Sequence, residues 1–169
     1  MSILYRNNKG KQKLNRDGKK YITREFVSTF FFLVILLVSS GFFGWINAWV
    51  SFGLILIYQI STIFILHKIN PSLINKRGKV IQETTKLFDK IFVVIFLPLA
   101  YSIPLLAGFD AIRFHWSYMH FTLNIMGGIL FVLASIFGSW AMVVNSNFEM
   151  TVFIRDKEHQ VCTSGPYKF

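Results

Sequence analysis

The sequence predicts an all-α, polytopic membrane protein with about four transmembrane helices, and three observations carry that expectation. Only 15% of the 169 residues are charged and 53% are hydrophobic, whereas soluble domains carry about 25% charge. No Asp, Glu, Lys, Arg or His occurs between residues 26 and 66. A helix needs about 20 apolar residues to cross the hydrocarbon core, so this run holds two crossings. Two further uncharged runs follow, at 91–109 and 121–148.

Residues 1–25 are polar and basic, with Asn7, Asn8 and Gly10 and no apolar period. They are expected to form a mobile cytoplasmic arm. A secretory signal is excluded, because its apolar core spans only about 7–15 residues. The first span is expected at 26–43, where Ser39, Ser40, Gly41 and Gly44 interrupt the bulky residues. Trp45, Asn47 and Trp49 mark an interface, since an indole places its ring in apolar surroundings and its N–H at the headgroups. The second span is expected at 48–66, giving a tight hairpin.

Residues 67–90 are polar, carrying Lys68, Lys76, Arg77, Lys79, Lys86 and Lys90 against Glu83 and Asp89. Pro71 after Asn70 predicts the start of a short helix, because the first turn tolerates a missing N–H. The third span, 91–107, contains Pro98 and Pro104 and is expected to bend. A loop is expected at 108–120, where Asp110 and Arg113 are spaced for a local ion pair. The fourth span, 121–144, carries Gly127, Gly128, Ala134, Gly138 and Ala141. Small residues four apart let helix backbones approach closely in lipid.

The net charge is +10. Fourteen of the 18 Lys and Arg lie in the arm and in the 67–90 segment, which an even number of spans separates. Basic loops mark the cytoplasmic side, so both the N-terminus and the tail from Asn145 are expected there, in the plasma membrane. That placement accounts for the charge without a nucleic-acid partner and makes membrane lipid the expected one, each basic residue near an anionic surface adding about 1 kcal/mol. No Asp, Glu, Lys or Arg lies within an expected span, which argues against a transporter.

Chemistry is sparse. No phosphate-binding glycine motif, zinc spacing or nucleophile elbow occurs, and no metal site is expected. Cys162 is the only cysteine, so no internal disulfide can form. In the tail, His159 offers hydrogen bonding near neutral pH. Gly165-Pro166 makes a turn that a ligand can approach, and Tyr167 adds an aromatic face and a hydroxyl. By spacing alone, these residues also suit a solvated loop.

The tail resembles the isoprenylcysteine carboxyl methyltransferase family and its prokaryotic relatives, which in turn resemble the phospholipid methyltransferases. Asn145 and Phe148 stand where the family has an Asn and aromatics after a span. Thr151, Val152, Phe153, Ile154 and Arg155 occupy its strand-like stretch. His159 and Val161 match its Gly-His-x-Val, and Thr163-Ser164-Gly165-Pro166-Tyr167 matches its Thr-Thr-Gly-Pro-Tyr. Ile69-Asn70-Pro71, Phe88-Asp89-Lys90 and residues 106–114 resemble the prokaryotic subgroup. Glu158 replaces the usual Gly, and the family's Arg-His-Pro continuation does not follow.

The resemblance implies transfer of a methyl group from S-adenosylmethionine to a lipid-associated acceptor, a prenylcysteine-type carboxylate or similar, at the cytoplasmic face. It implies that His159, Val161, Gly165, Pro166 and Tyr167 form the first wall of a cofactor pocket. The 145–169 segment is then the incomplete start of a cofactor-binding region, and this chain holds only the N-terminal part of the site. No residue matches a family catalytic base, and neither the acceptor nor the oligomeric state follows from the sequence. The other open reading is a non-catalytic truncated membrane protein that binds lipid or a partner.

Overall fold

The computed structural model describes residues 13–79, 87–145, 148, 162 and 164–168. All regular structure among these residues is helical, and four helices are long and apolar enough to cross a membrane. The protein is therefore an all-α polytopic membrane protein. The elements are α1 (Arg16–Ser40), α2 (Ile46–Ile69), the short α3 (Pro71–Arg77), α4 (Leu87–Gly108) and α5 (Phe121–Val144). A π-helical turn (Phe109–Phe114) extends α4, and a 3-10 turn (Gly165–Tyr167) lies in the tail.

Residues 16–25 are not a detached basic tail; they are the opening turns of α1. Asn15 caps this helix, its side chain accepting from the Gly18 N–H at 2.9 Å, which satisfies a donor that the helix start leaves unpaired. Hydropathy marks where lipid begins, and a capped helix continues past that point. The remainder of the arm, 1–12, lies outside the described residues, as does 80–86.

The helices stand in a row. α1 packs against α4 on one side and α2 on the other, and α2 in turn packs against α5. Accordingly, 28% of the apolar window of α1 is buried, against 11% for each edge helix. The α1–α2 hairpin closes on Leu33, Leu36, Leu37 and Ala48, flanked by Phe32, Trp45 and Phe52. Gly41 ends α1 in the left-handed conformation (φ 67°), its N–H donating to the Leu37 carbonyl at 3.0 Å.

Each outer seam carries a hydroxyl pair. Ser28 Oγ and Tyr101 Oη are 2.6 Å apart between α1 and α4, beside an edge-on contact of Phe31 with Tyr101. Thr62 Oγ1 and Ser139 Oγ are 2.8 Å apart between α2 and α5, beside Tyr58 and Phe131. In lipid the hydrophobic effect does not drive helices together, so such bonds and close packing hold the seams, at about 0.6 kcal/mol per bond.

α3 starts at Pro71, as the sequence predicts. α4 stays helical through Pro98 and Pro104. The expected loop at 108–120 is partly helical, because the chain widens into the π turn at Phe109–Phe114. The anticipated Asp110–Arg113 pair does not form. Asp110 accepts from Ser117 Oγ, while Arg113 donates to the Val38 carbonyl at 3.4 Å, placing its cation at the negative end of α1. His120 caps α5, its Nδ1 accepting from the Thr122 N–H at 3.3 Å.

Of the small residues of α5, Ala141 is buried, but the glycines do not make the close helix contact expected of them. A Cβ added at Gly127, Gly128 or Gly138 meets nothing within 4 Å. The close approach occurs instead at Gly108, whose missing side chain leaves room for Ser39 and Ser40 of α1.

Candidate functional site

The basic end of the row is where the chain becomes compact. Tyr21 from α1, Leu66 from α2, Leu73 and Ile74 from α3 and Met142 from α5 form one buried cluster. Leu14, Ile22, Val143 and Phe148 pack around it. Residues from four helices therefore converge at this end of the apolar spans.

Arg77, the last residue of α3, sits at the centre of this convergence. Its guanidinium lies 5.4 Å from the Tyr21 ring centroid and 5.7 Å from that of Phe148. Nη1 is 2.9 Å from Met142 Sδ, and the Arg77 carbonyl accepts from Arg24 Nη2 at 2.8 Å. Its Nε is buried without a hydrogen-bond partner among the described residues, as are Gln59 Oε1 and Asn70 Nδ2. Native structures leave few buried polar atoms unpaired, so this end of the molecule holds unused hydrogen-bonding capacity. Sequence reasoning missed Arg77 as a site residue because it stood among lysines in a polar segment and was read only as loop charge.

The tail returns to the same end. Gly165–Tyr167 forms a single 3-10 turn, closed by the Tyr167 and Lys168 N–H groups donating to the Ser164 and Gly165 carbonyls, each at 3.3 Å. Gly165 is in the left-handed region (φ 62°), which costs other residues roughly 1–2 kcal/mol. It also lies against the end of α5, where an added Cβ would come within 3.0 Å of Val144 Cγ2 and 3.5 Å of Trp140 Nε1. Met142 and Val144 thus place Arg77 and the glycine turn on the same terminal turn of α5.

Of the five anticipated cofactor residues, Gly165, Pro166 and Tyr167 are contiguous and half-buried. His159 and Val161 lie outside the described residues, as does the 151–155 stretch. No group of three or more potential metal ligands occurs among the described residues. Cys162 Sγ lies 4.0 Å from the Val144 carbonyl oxygen. Comparison with protein-family models, with curated proteins and with solved structures finds no match.

Proposed function

We propose that this protein serves S-adenosylmethionine-dependent methyl transfer to a lipid-associated acceptor, of the prenylcysteine-carboxylate kind, at the cytoplasmic membrane face. The observation that carries the reading is the glycine turn, Gly165-Pro166-Tyr167, seated on the end of the last membrane helix. A water-soluble donor reaches the protein at that level, and an apolar acceptor arrives sideways from the bilayer. The sulfonium already activates its methyl group, so the protein's task is to align the two and exclude water.

The residues present fit such a donor. Gly165 turns the chain in the left-handed region against the end of α5, and Tyr167 stays partly exposed beside it. In this reading Gly165, Pro166 and Tyr167, with His159 and Val161, make one wall of the pocket, and no residue is assigned as a base. The alternative is a non-catalytic membrane protein that binds lipid or a partner. It is favoured by the open flanks of Gly127 and Gly138 on α5.

Equilibrium dialysis of radiolabelled S-adenosylmethionine against the protein in nanodiscs separates the two. Methyl transfer requires saturable binding that S-adenosylhomocysteine displaces and that Tyr167→Ala or His159→Ala abolishes. Absence of binding to the wild-type protein leaves the lipid- or partner-binding alternative.

A further inference from the structure

α1 carries a second feature, independent of methyl transfer, on its outer face. Arg16, Lys19, Lys20, Thr23, Arg24 and Val27 line an open depression. Helical spacing places Arg16, Lys20, Thr23, Val27, Phe30 and Val34 along a single stripe, because residues three and four apart share a helix face. Arg16, Lys19, Lys20, Val27, Phe30 and Val34 are all exposed. Between Lys20 and Val27 the stripe changes from basic to wholly apolar.

Of the acidic residues of this region, Asp17 reaches the edge of this face, where it is shared between Lys20 and Lys79, and Glu25 does not. Asp17 lies toward α3, within 3.9 Å of Lys79 Nζ and 4.0 Å of Lys20 Nζ. Glu25 falls on the inner side: its carboxyl is partly buried with Arg77 and Arg24 as its charged neighbours, and its backbone carbonyl accepts from Gln59 Nε2 of α2 at 3.3 Å. The outer face is left with cations above and hydrocarbon below, and that sequence of chemistries matches one amphiphile lying parallel to the helix.

We propose that this face binds an anionic phospholipid, with the headgroup phosphate held by Arg16, Lys19 and Lys20 and an acyl chain lying along Val27, Phe30 and Val34. Lys and Arg suit the headgroup position because their aliphatic stems lie on apolar surface while their charges reach the phosphate. Each basic residue near an anionic surface contributes about a fivefold factor in association.

The full-length protein in vesicles of equal parts phosphatidylglycerol and phosphatidylcholine provides the test, with spin-labelled lipids reporting the immobilised fraction. Wild type is expected to prefer phosphatidylglycerol, and Arg16→Gln/Lys19→Gln/Lys20→Gln to lose that preference. Lys68→Gln, at a residue whose ammonium lies over the Phe64 ring of α2, is expected to keep it. Should the triple variant not fold, Lys19→Gln alone is expected to weaken the preference about fivefold. Equal retention of the two lipids by wild type, or an unchanged preference in the folded variants, overturns the proposal. Displacement by inorganic phosphate also overturns it, since the site then takes the free ion and not the lipid.

Discussion

Asn15 and Asn75, sixty residues apart, close the basic end of the molecule on each other. The Asn15 N–H donates to Asn75 Oδ1 at 3.0 Å, and Asn75 Nδ2 donates to the Lys13 carbonyl at 3.2 Å. Asn15 also caps α1, so one side chain on α3 anchors the start of a helix that hydropathy alone would begin ten residues later.

Asn75→Ala is therefore expected to destabilise the protein by about 1–2 kcal/mol, since it removes both bonds, one to the Asn15 N–H and one to the Lys13 carbonyl. Asn15→Ala is expected to cost about 1 kcal/mol, and the double variant less than the sum, because the residues share a network. Hydrogen exchange of residues 16–25 reads the effect directly. Unchanged protection in Asn75→Ala would show that the clamp does not hold α1.

The two faces of glycine predict opposite outcomes. Gly108→Ala places a Cβ 2.9 Å from the Ser40 backbone nitrogen and closer still to Ser39, so the α1–α4 seam must open, at about 1–3 kcal/mol. Gly138→Ala meets nothing and gains helix propensity of up to about 1 kcal/mol. Thermal unfolding in one detergent compares them. Equal destabilisation would place a neighbour against α5, such as a second copy of the chain.

Arg77→Lys tests whether the guanidinium is held as a plane or as a charge. The guanidinium lies over both the Tyr21 and Phe148 rings and reaches Met142 Sδ with Nη1, a set of contacts that the point charge of Lys does not reproduce. The expected loss is about 1 kcal/mol, within the range for cation–π pairs, and close to that of Arg77→Met. Full retention of stability by Lys would mean that charge alone matters.

Gly165→Ala combines an unfavourable φ with a contact on Val144. It is expected to disturb the tail turn by roughly 1–2 kcal/mol and to weaken S-adenosylmethionine binding more than tenfold, while the melting of the four spans changes little. Tyr167→Ala should remove binding with the same melting temperature. A parallel fall in melting temperature for both variants would assign the turn to folding and not to the ligand.

The four long helices were legible in the sequence because each rests on a run of apolar residues and on the absence of charge. The Pro71 helix start was equally legible, being a local matter of one missing N–H. The candidate site was legible only in part. Gly165, Pro166 and Tyr167 stand out as a turn, but Arg77 does not, since nothing local distinguishes it from Lys76 or Lys79. Its role appears only when Tyr21, Met142 and Phe148 arrive from three other segments. The Asp110–Arg113 expectation failed for a related reason: the carbonyl at the end of α1 offered Arg113 a partner from outside its own turn.

By itself, the sequence determined that this is a helical membrane protein and where its apolar spans lie. Solvent transfer acts on each segment separately, and its sign is decided by composition. Only the tertiary structure decided that α1 extends through the basic arm, that the helices stand in the order α4, α1, α2, α5, and that the glycine turn and Arg77 share the end of α5. Those outcomes rest on contacts between residues many tens of positions apart, and no local property of either partner specifies which other segment it will meet.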